Sequence, residues 1–415
     1  MSASSTSHPT TESPADWAAD LDRRIDELFP RMVSVRRHLH QQPEPSGEEV
    51  ETTRYLAGLL EAEQFDVHVA SDGRGLVAEP DGQPPSEPRL GIRADIDALR
   101  IHDVKQVPYH SLKPGIMHAC GHDAHSATVL GAALALREAA ADSTLPWPVV
   151  WRAIFQPAEE ISEGAKKMIA DGAIHGVEAV VAAHMDPSRP VGRIGLREGM
   201  LTANCDAFRI TVHGRGGHAA RPHETIDPIT AACQLVGTLY MFVPRSTNSQ
   251  DAVVVSIGQI SGGHNANVIP EEVTLRGTLR TLNLSVRDRT IEHIRHLARG
   301  LAETSRTEMD IEFSGACEGV QNDRQITGLL RDAAGNLLGK SQLDEIPRAS
   351  MGSEDFSAYL EHLPGSMFRL GCAGETTGTS PLHTPTFDID ERAMAIGAKI
   401  FARAVVTWCD PSRRR

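Results

Sequence analysis

The chain has 415 residues, 40% of them hydrophobic, and a formal net charge of −14. That length exceeds what one hydrophobic core usually serves, so two domains are expected. The acidic balance excludes a basic surface for nucleic acid or an anionic membrane, and no run approaches the roughly 18 uninterrupted apolar residues of a membrane span.

The opening stretch MSASSTSHPTTESPADW is rich in Ser, Thr and Pro and holds no apolar signal core. Residues 1–15 read as a disordered leader, and the protein as cytoplasmic. From Trp17 to His40, Leu21, Ile25, Leu28, Met32 and Val35 recur at helical spacing, and the segment breaks at QQPEP. Ser46 and Glu49 have the spacing of a capping box that opens an amphipathic helix through about Leu60.

FDVHVA, GLVAEP and RLGIRADI follow as strands, then an alanine-rich helix from Ala124 to Ala141, then the mostly apolar strands VVWRAIF and VEAVVAAHM. Apolar strands alternating with helices imply an α/β sheet covered on both faces. Such sheets place their ligands where strands end.

Near Asp206 the character changes. FRITVHG, a helix over IDPITAACQLVGTLYMFV, AVVVSIGQI, EEVTLRGTLRTL, a helix over SVRDRTIEHIRHLARGLAETSR, and MDIEFSGAC follow one another. The order is β-α-β-β-α-β, a ferredoxin-like unit. The expected fold is therefore an α/β domain of residues 16–205 and 319–415 with a ferredoxin-like domain, 206–318, inserted into it.

Between Gly115 and Ala127 the stretch GIMHACGHDAHSA gathers His118, Cys120, His122, Asp123 and His125. Farther on stand Glu159 and Glu160 in IFQPAEE, His184 in AAHMDP and His383 in LHTPTF. Thiolate, imidazole and carboxylate are the donors that Zn²⁺ and similar ions accept. Each element has a plain structural reading too: a histidine-rich turn capping a helix, or a solvated helix start at the paired glutamates. Cys120 could also be a nucleophile with His122 or His125 as its base, which would leave Glu159, Glu160, His184 and His383 without a part. The six cysteines are scattered too widely for a disulfide framework, so reduced thiols are expected.

RADIDAL, MHACGHDAH, FQPAEE, AAHMDP, GRGGHAARPHETIDPI, NVIPEE, GSEDF and LHTPTFDID resemble, in order and spacing, the amidohydrolase branch of the M20 metallopeptidase family. That branch includes N-acyl-amino-acid amidohydrolases, hippurate hydrolases, indole-acetyl-amino-acid hydrolases and N-acetyl-diaminopimelate deacetylases. The resemblance runs from about residue 30 to the end.

It implies a metal-dependent amidohydrolase that splits the linear amide of an N-acyl amino acid. Two divalent ions, zinc above manganese, cobalt or nickel, would be held by Cys120, His122, Glu160, His184 and His383. Glu159 would be the general base and Asp97 would orient a ligand imidazole, with Cys120 replacing a ligand histidine at the position of Asp95. The inserted domain becomes a lid that forms a homodimer, its His218 stabilising the oxyanion in the neighbouring subunit and Asn267 and Arg280 gripping a substrate carboxylate. His118 and His125 fall back to supporting positions. Arg100, ISEGA and AAHMDP depart from the usual pattern, which bears on the substrate more than on the ligands. A dipeptidase or carboxypeptidase with the same centre, and a silent metal or peptide carrier, are the rival readings.

Overall fold

The computed structural model describes residues 16–83 and 89–413; the expected leader at 1–15 lies outside them. Two compact units form, one from the chain up to Leu196 with Asp323–Glu345 and everything from Leu363 onward, the other from Arg197–Asn322 with Ile346–His362. The second unit thus begins at Arg197 rather than 206 and takes in a later segment, GSEDF included, that chain order alone assigns to the α/β domain.

In chain order the elements are α1 (Asp16–Gln41), α2 (Val50–Glu61), β1 (Phe65–Val69), β2 (Leu76–Pro80), β3 (Arg89–Asp95), α3 (His122–Ala141), β4 (Trp151–Gln156), α4 (Gly164–Ala170), β5 (Val177–Pro190) and β6 (Ile194–Leu196). The second unit follows with β7 (Gly199–Met200), β8 (Asn204–His213), β9 (Gly217–His218), α5 (Pro228–Ser246), β10 (Val253–Ser261), β11 (Val268–Ile269), β12 (Glu272–Thr281), α6 (Leu284–Ser305), β13 (Glu308–Cys317) and β14 (Gln321–Asn322). Then come α7 (Arg324–Leu338), β15 (Leu343–Glu345), α8 (Ser357–Leu360), β16 (Gly365–Ala373) and α9 (Arg392–Trp408).

The first unit is built on a mixed sheet in the order β1-β2-β4-β3-β5-β16-β6-β15. Its centre is parallel, β4 with β3, β3 with β5 and β5 with β16, while β1, β2 and the β16–β6 pair run antiparallel. All seven residues of β3 are buried, apolar Leu90, Ile92 and Ala94 alternating with Arg89, Arg93 and Asp95, as a strand covered on both faces requires. α3 is buried at every position from His122 to Leu136. Its alanines are small enough to let it pack against α1, α9 and the sheet at once.

In the second unit a four-stranded antiparallel sheet, order β10-β12-β8-β13, lies against α5 and α6. Phe208, Ile210 and Val212 alternate inward along β8 and join Leu235, Leu239 and Ile294 in one core. The sequence starts both helices plainly. The Asp227 carboxylate caps α5 ahead of Pro228, and the Asn283 amide oxygen caps α6. Among the described residues no helix is long and apolar enough to cross a membrane, and all six cysteines are free thiols.

Candidate active site

The parallel strands of the first unit end on a common edge, and most of the reactive side chains follow them. β3 closes on Asp95 and runs on to Asp97, β4 turns through Pro157 into Glu159 and Glu160, and β5 carries His184 inside the strand. Cys120 and His122 stand instead at the N-terminus of α3, and His383 lies in the loop between β16 and α9.

Two backbone features hold this arrangement. Gly121, between Cys120 and His122, sits at φ +93° in the left-handed region, and a Cβ there would come within 3.0 Å of Met185 Cγ. A Cβ on Gly164 would lie 1.5 Å from the Pro157 carbonyl oxygen, so the turn carrying Glu159 and Glu160 closes only on glycine. Ala158 in that turn is itself left-handed, at φ +52°, a conformation that costs an alanine roughly 1–2 kcal/mol. It is held by its N–H donating to the buried Glu49 carboxylate at 2.7 Å.

The five expected ligands come together. Three sets of donor atoms lie within 4.8 Å of one another: Cys120 with His122 and His184, Cys120 with Glu160 and His383, and His122 with Glu159 and Glu160. The Cys120 sulfur is common to two of them and sits 3.4 Å from His184 Nε2. Glu160 Oε1 is 3.3 Å from His383 Nε2 and 3.9 Å from His122 Nε2. On its other side His122 Nδ1 lies 3.0 Å from both the backbone oxygen and Oδ1 of Asp97. Asp97 Oδ2 accepts from the Ser46 hydroxyl at 2.7 Å and from the Glu160 N–H at 3.0 Å. Burial would raise the Asp97 carboxyl, but His122 and these donors hold it below its ordinary range.

The donor set fits a pair of borderline divalent ions. His122 Nε2 is buried without a hydrogen-bond partner, and thiol, imidazole and carboxylate converge there. Burial, then the Arg369 charge, holds His184 well below its usual pKa, so the ring offers a free lone pair. Burial, with Glu160 beside it, pushes the Cys120 thiol up to about 12. A thiol held there is a poor nucleophile near neutrality, and a cation alongside is what releases its proton. The nucleophile reading of Cys120 weakens accordingly.

His218, Asn267 and Arg280 belong to the second unit. His218 and Asn267 are neighbours on the ribbon made by β9 and β11, where the Ala219 N–H donates to the Asn267 carbonyl oxygen. His218 is exposed, and Arg280 on β12 donates from Nη1 to the Met351 carbonyl oxygen at 2.9 Å.

The capping box expected from Ser46 and Glu49 does not form. Ser46 turns to Asp97, Glu49 Oε1 accepts from the N–H groups of Gly47 and Ala158, and the Thr52 N–H is taken by Glu44 at 2.7 Å. The segment ties α2 to the two site turns instead of capping the helix. A second feature missed in the sequence is a buried charge cluster behind α3. Arg36 donates to Asp123, Asp388 and Glu391, while His40 Nδ1 lies 2.8 Å from the same Asp123 oxygen. Its one sequence signal is that Arg36 and His40 lie four apart on the α1 stripe of Met32, Val35 and Leu39, which is otherwise apolar and core-facing.

The profile of peptidase family M20/M25/M40 matches residues 91–407. The chain is 41% identical over 379 residues to a protein of Synechocystis sp. named as a probable hydrolase, covering 91% of this chain and 95% of that one. It is 39% identical over 377 residues to an N-acetylcysteine deacetylase of Bacillus subtilis, covering 91% and 96%. Its fold is similar to the crystal structure of the Bacillus subtilis YXEP protein, described as a dinuclear metal binding peptidase of the M20 family, with a TM-score of 0.77, 35% identity and 92% and 99% of the two chains covered. By profile, sequence and fold, this chain belongs to peptidase family M20/M25/M40 and is a metal-binding hydrolase of that family's amidohydrolase and peptidase group.

Proposed function

We propose that the enzyme hydrolyses the amide bond of N-acyl amino acids, releasing a carboxylic acid and the free amino acid. The observation that carries this is the convergence of Cys120, His122, Glu160, His184 and His383 in one cluster with Glu159 beside it. The N-acetylcysteine deacetylase among its relatives supports the acyl amino acid as substrate class.

Cys120, His122, Glu160, His184 and His383 are read as the ligands of two divalent ions, zinc first, with manganese, cobalt or nickel as alternatives. When bound, such a pair lowers the pKa of a water and polarises the amide carbonyl. Glu159 takes the water's proton and returns it to the departing amine nitrogen. Asp97 fixes the His122 ring by its contact with Nδ1, leaving Nε2 for the metal. In the second unit, read as a ferredoxin-like lid, His218 is assigned to the oxyanion and Asn267 and Arg280 to the substrate carboxylate, on their motifs. Turnover of acetyl-, benzoyl- and longer acyl-amino acids by zinc- or manganese-loaded protein, set against free-amine dipeptides, tests the reading. Acyl amino acids are expected to be preferred at least tenfold, about 1.4 kcal/mol of transition-state discrimination. A preference for dipeptides makes it a peptidase, and no turnover of either makes it a carrier.

The lid reading includes self-association. Tyr240, Met241 and Phe242 on α5 are exposed, as are Val254 and Ile260 on β10, the strand at one edge of its sheet. Exposed apolar side chains on a helix and on a free strand edge suit a two-fold contact between identical chains. Phe242→Glu is expected to shift the protein from dimer to monomer in sedimentation velocity; a wild-type monomer at micromolar concentration rejects the assignment.

A further inference from the structure

The site reading leaves Asp95 and His125 without a part, yet both are buried between β3 and α3 and are linked to each other and to His184. Arg93 Nη1 donates to Asp95 Oδ2 at 2.7 Å, and Asp95 Oδ1 lies 2.6 Å from His125 Nδ1. On the far side of the ring the Met185 N–H donates to His125 Nε2 at 2.8 Å. The Met185 carbonyl oxygen then accepts from His184 Nδ1, also at 2.8 Å, which leaves His184 Nε2 facing the Cys120 sulfur.

The chain of donors has only one consistent direction. A backbone N–H can only donate, so His125 Nε2 must accept and the ring must carry its proton on Nδ1, where the Asp95 carboxylate receives it. The Met185 backbone is thereby held on both sides of its Cα: its N–H, in the peptide that joins it to His184, by His125, and its carbonyl oxygen, in the peptide that joins it to Asp186, by His184. A shift of the Met185 backbone, once its N–H is no longer held, would carry its carbonyl oxygen away from His184 Nδ1 and turn the other ring nitrogen out of the site. Gly121 leaves room for this packing, since a Cβ there would meet Met185 and lie 3.6 Å from His125 Nε2.

We infer that His125, oriented by Asp95 and Arg93, is a positioning residue that fixes the Met185 backbone and through it the tautomer and aim of His184. His125 itself donates nothing to the metals. The inference rests on the reading of His184 as a ligand and goes beyond it by naming what sets that ligand's geometry.

Two substitutions separate positioning from mere packing. His125→Gln keeps an amide oxygen within reach of the Met185 N–H, whereas His125→Asn keeps a donor toward Asp95 but falls short of Met185. Zinc affinity of the full chain is measured by competition with a chromogenic chelator. His125→Asn is expected to weaken one of the two zinc ions by about 10- to 100-fold, with His125→Gln clearly less affected. Equal losses in the two variants, or none, overturn the inference. If neither variant folds, nitrogen NMR of the zinc-loaded, ¹⁵N-histidine-labelled wild-type chain decides: His125 protonated on Nδ1 supports it, and protonated on Nε2 overturns it. His184→Ala separates the layers, because a variant that still holds both zinc ions removes the ligand reading itself, whatever His125 does.

Discussion

Replacing Glu159 by glutamine is expected to lower kcat on the best acyl amino acid by about 100- to 10,000-fold while both metal ions stay bound. The substitution keeps the size of the side chain and removes only its capacity to take a proton. Glu159 is buried, on a turn locked by Gly164 and by the Glu49–Ala158 hydrogen bond, so a glutamine has little freedom to move away. KM should change far less than kcat, because proton transfer belongs to the transition state rather than to substrate binding. Steady-state kinetics with metal analysis of the same sample is the check. Activity within tenfold of wild type removes Glu159 as the base. Loss of a metal ion would make it a ligand, which its place in one set with His122 and Glu160 allows.

Arg36→Met should have the largest effect on stability. Arg36 is fully buried and holds Asp123 at 2.8 Å, Asp388 at 2.7 Å and Glu391 at 3.3 Å, with the Tyr109 ring 4.8 Å from its guanidinium carbon. Burial would make the guanidinium easier to deprotonate, but the three carboxylates hold it well above its usual value. Burial acts on Asp123 in the opposite sense to Arg36 and His40, and they outweigh it, keeping the carboxyl far below its usual range. Taking away the cation leaves buried negative charges facing one another, a loss of about 3–5 kcal/mol, read as a lower urea midpoint. Arg36→Met with Asp388→Asn should recover part of that loss, since one of the stranded charges is then gone. A single variant within about 1 kcal/mol of wild type would show that water or local rearrangement reaches the cluster.

The regular elements and the candidate ligands were legible in the sequence for physical reasons. Spacing on α1 and the apolar Leu90, Ile92 and Ala94 of β3 report burial directly. Cys120, His122, Glu160, His184 and His383 each alone read equally as a structural turn or lone histidine, and stood out through the ordered motifs that carry them. What escaped depends on pairing between distant segments. β5 runs on past His184 to Pro190 because β16 lies beside it as far as Ala373, which nothing in VEAVVAAHM records. Arg36 on a helix reads as a solvated charge until three carboxylates from elsewhere surround it. Ser46 and Glu49 matched a local rule, yet partners at Asp97 and Ala158 outcompeted the helix terminus.

The order in which the site's parts are made follows from the sheet. β5, which bears His184, is flanked by β3 on one side and by β16 on the other, and between β5 and β16 the chain builds the whole of the second unit. A ribosome must therefore deliver most of the polypeptide before the second neighbour of β5 exists, and later still His383. Until then Cys120, His122, Glu160 and His184 are made, but the strand that bears His184 has only β3 beside it. A product broken off before residue 363 lacks β16 and His383, and has an open sheet edge beside β5 where the finished fold has the middle of its sheet.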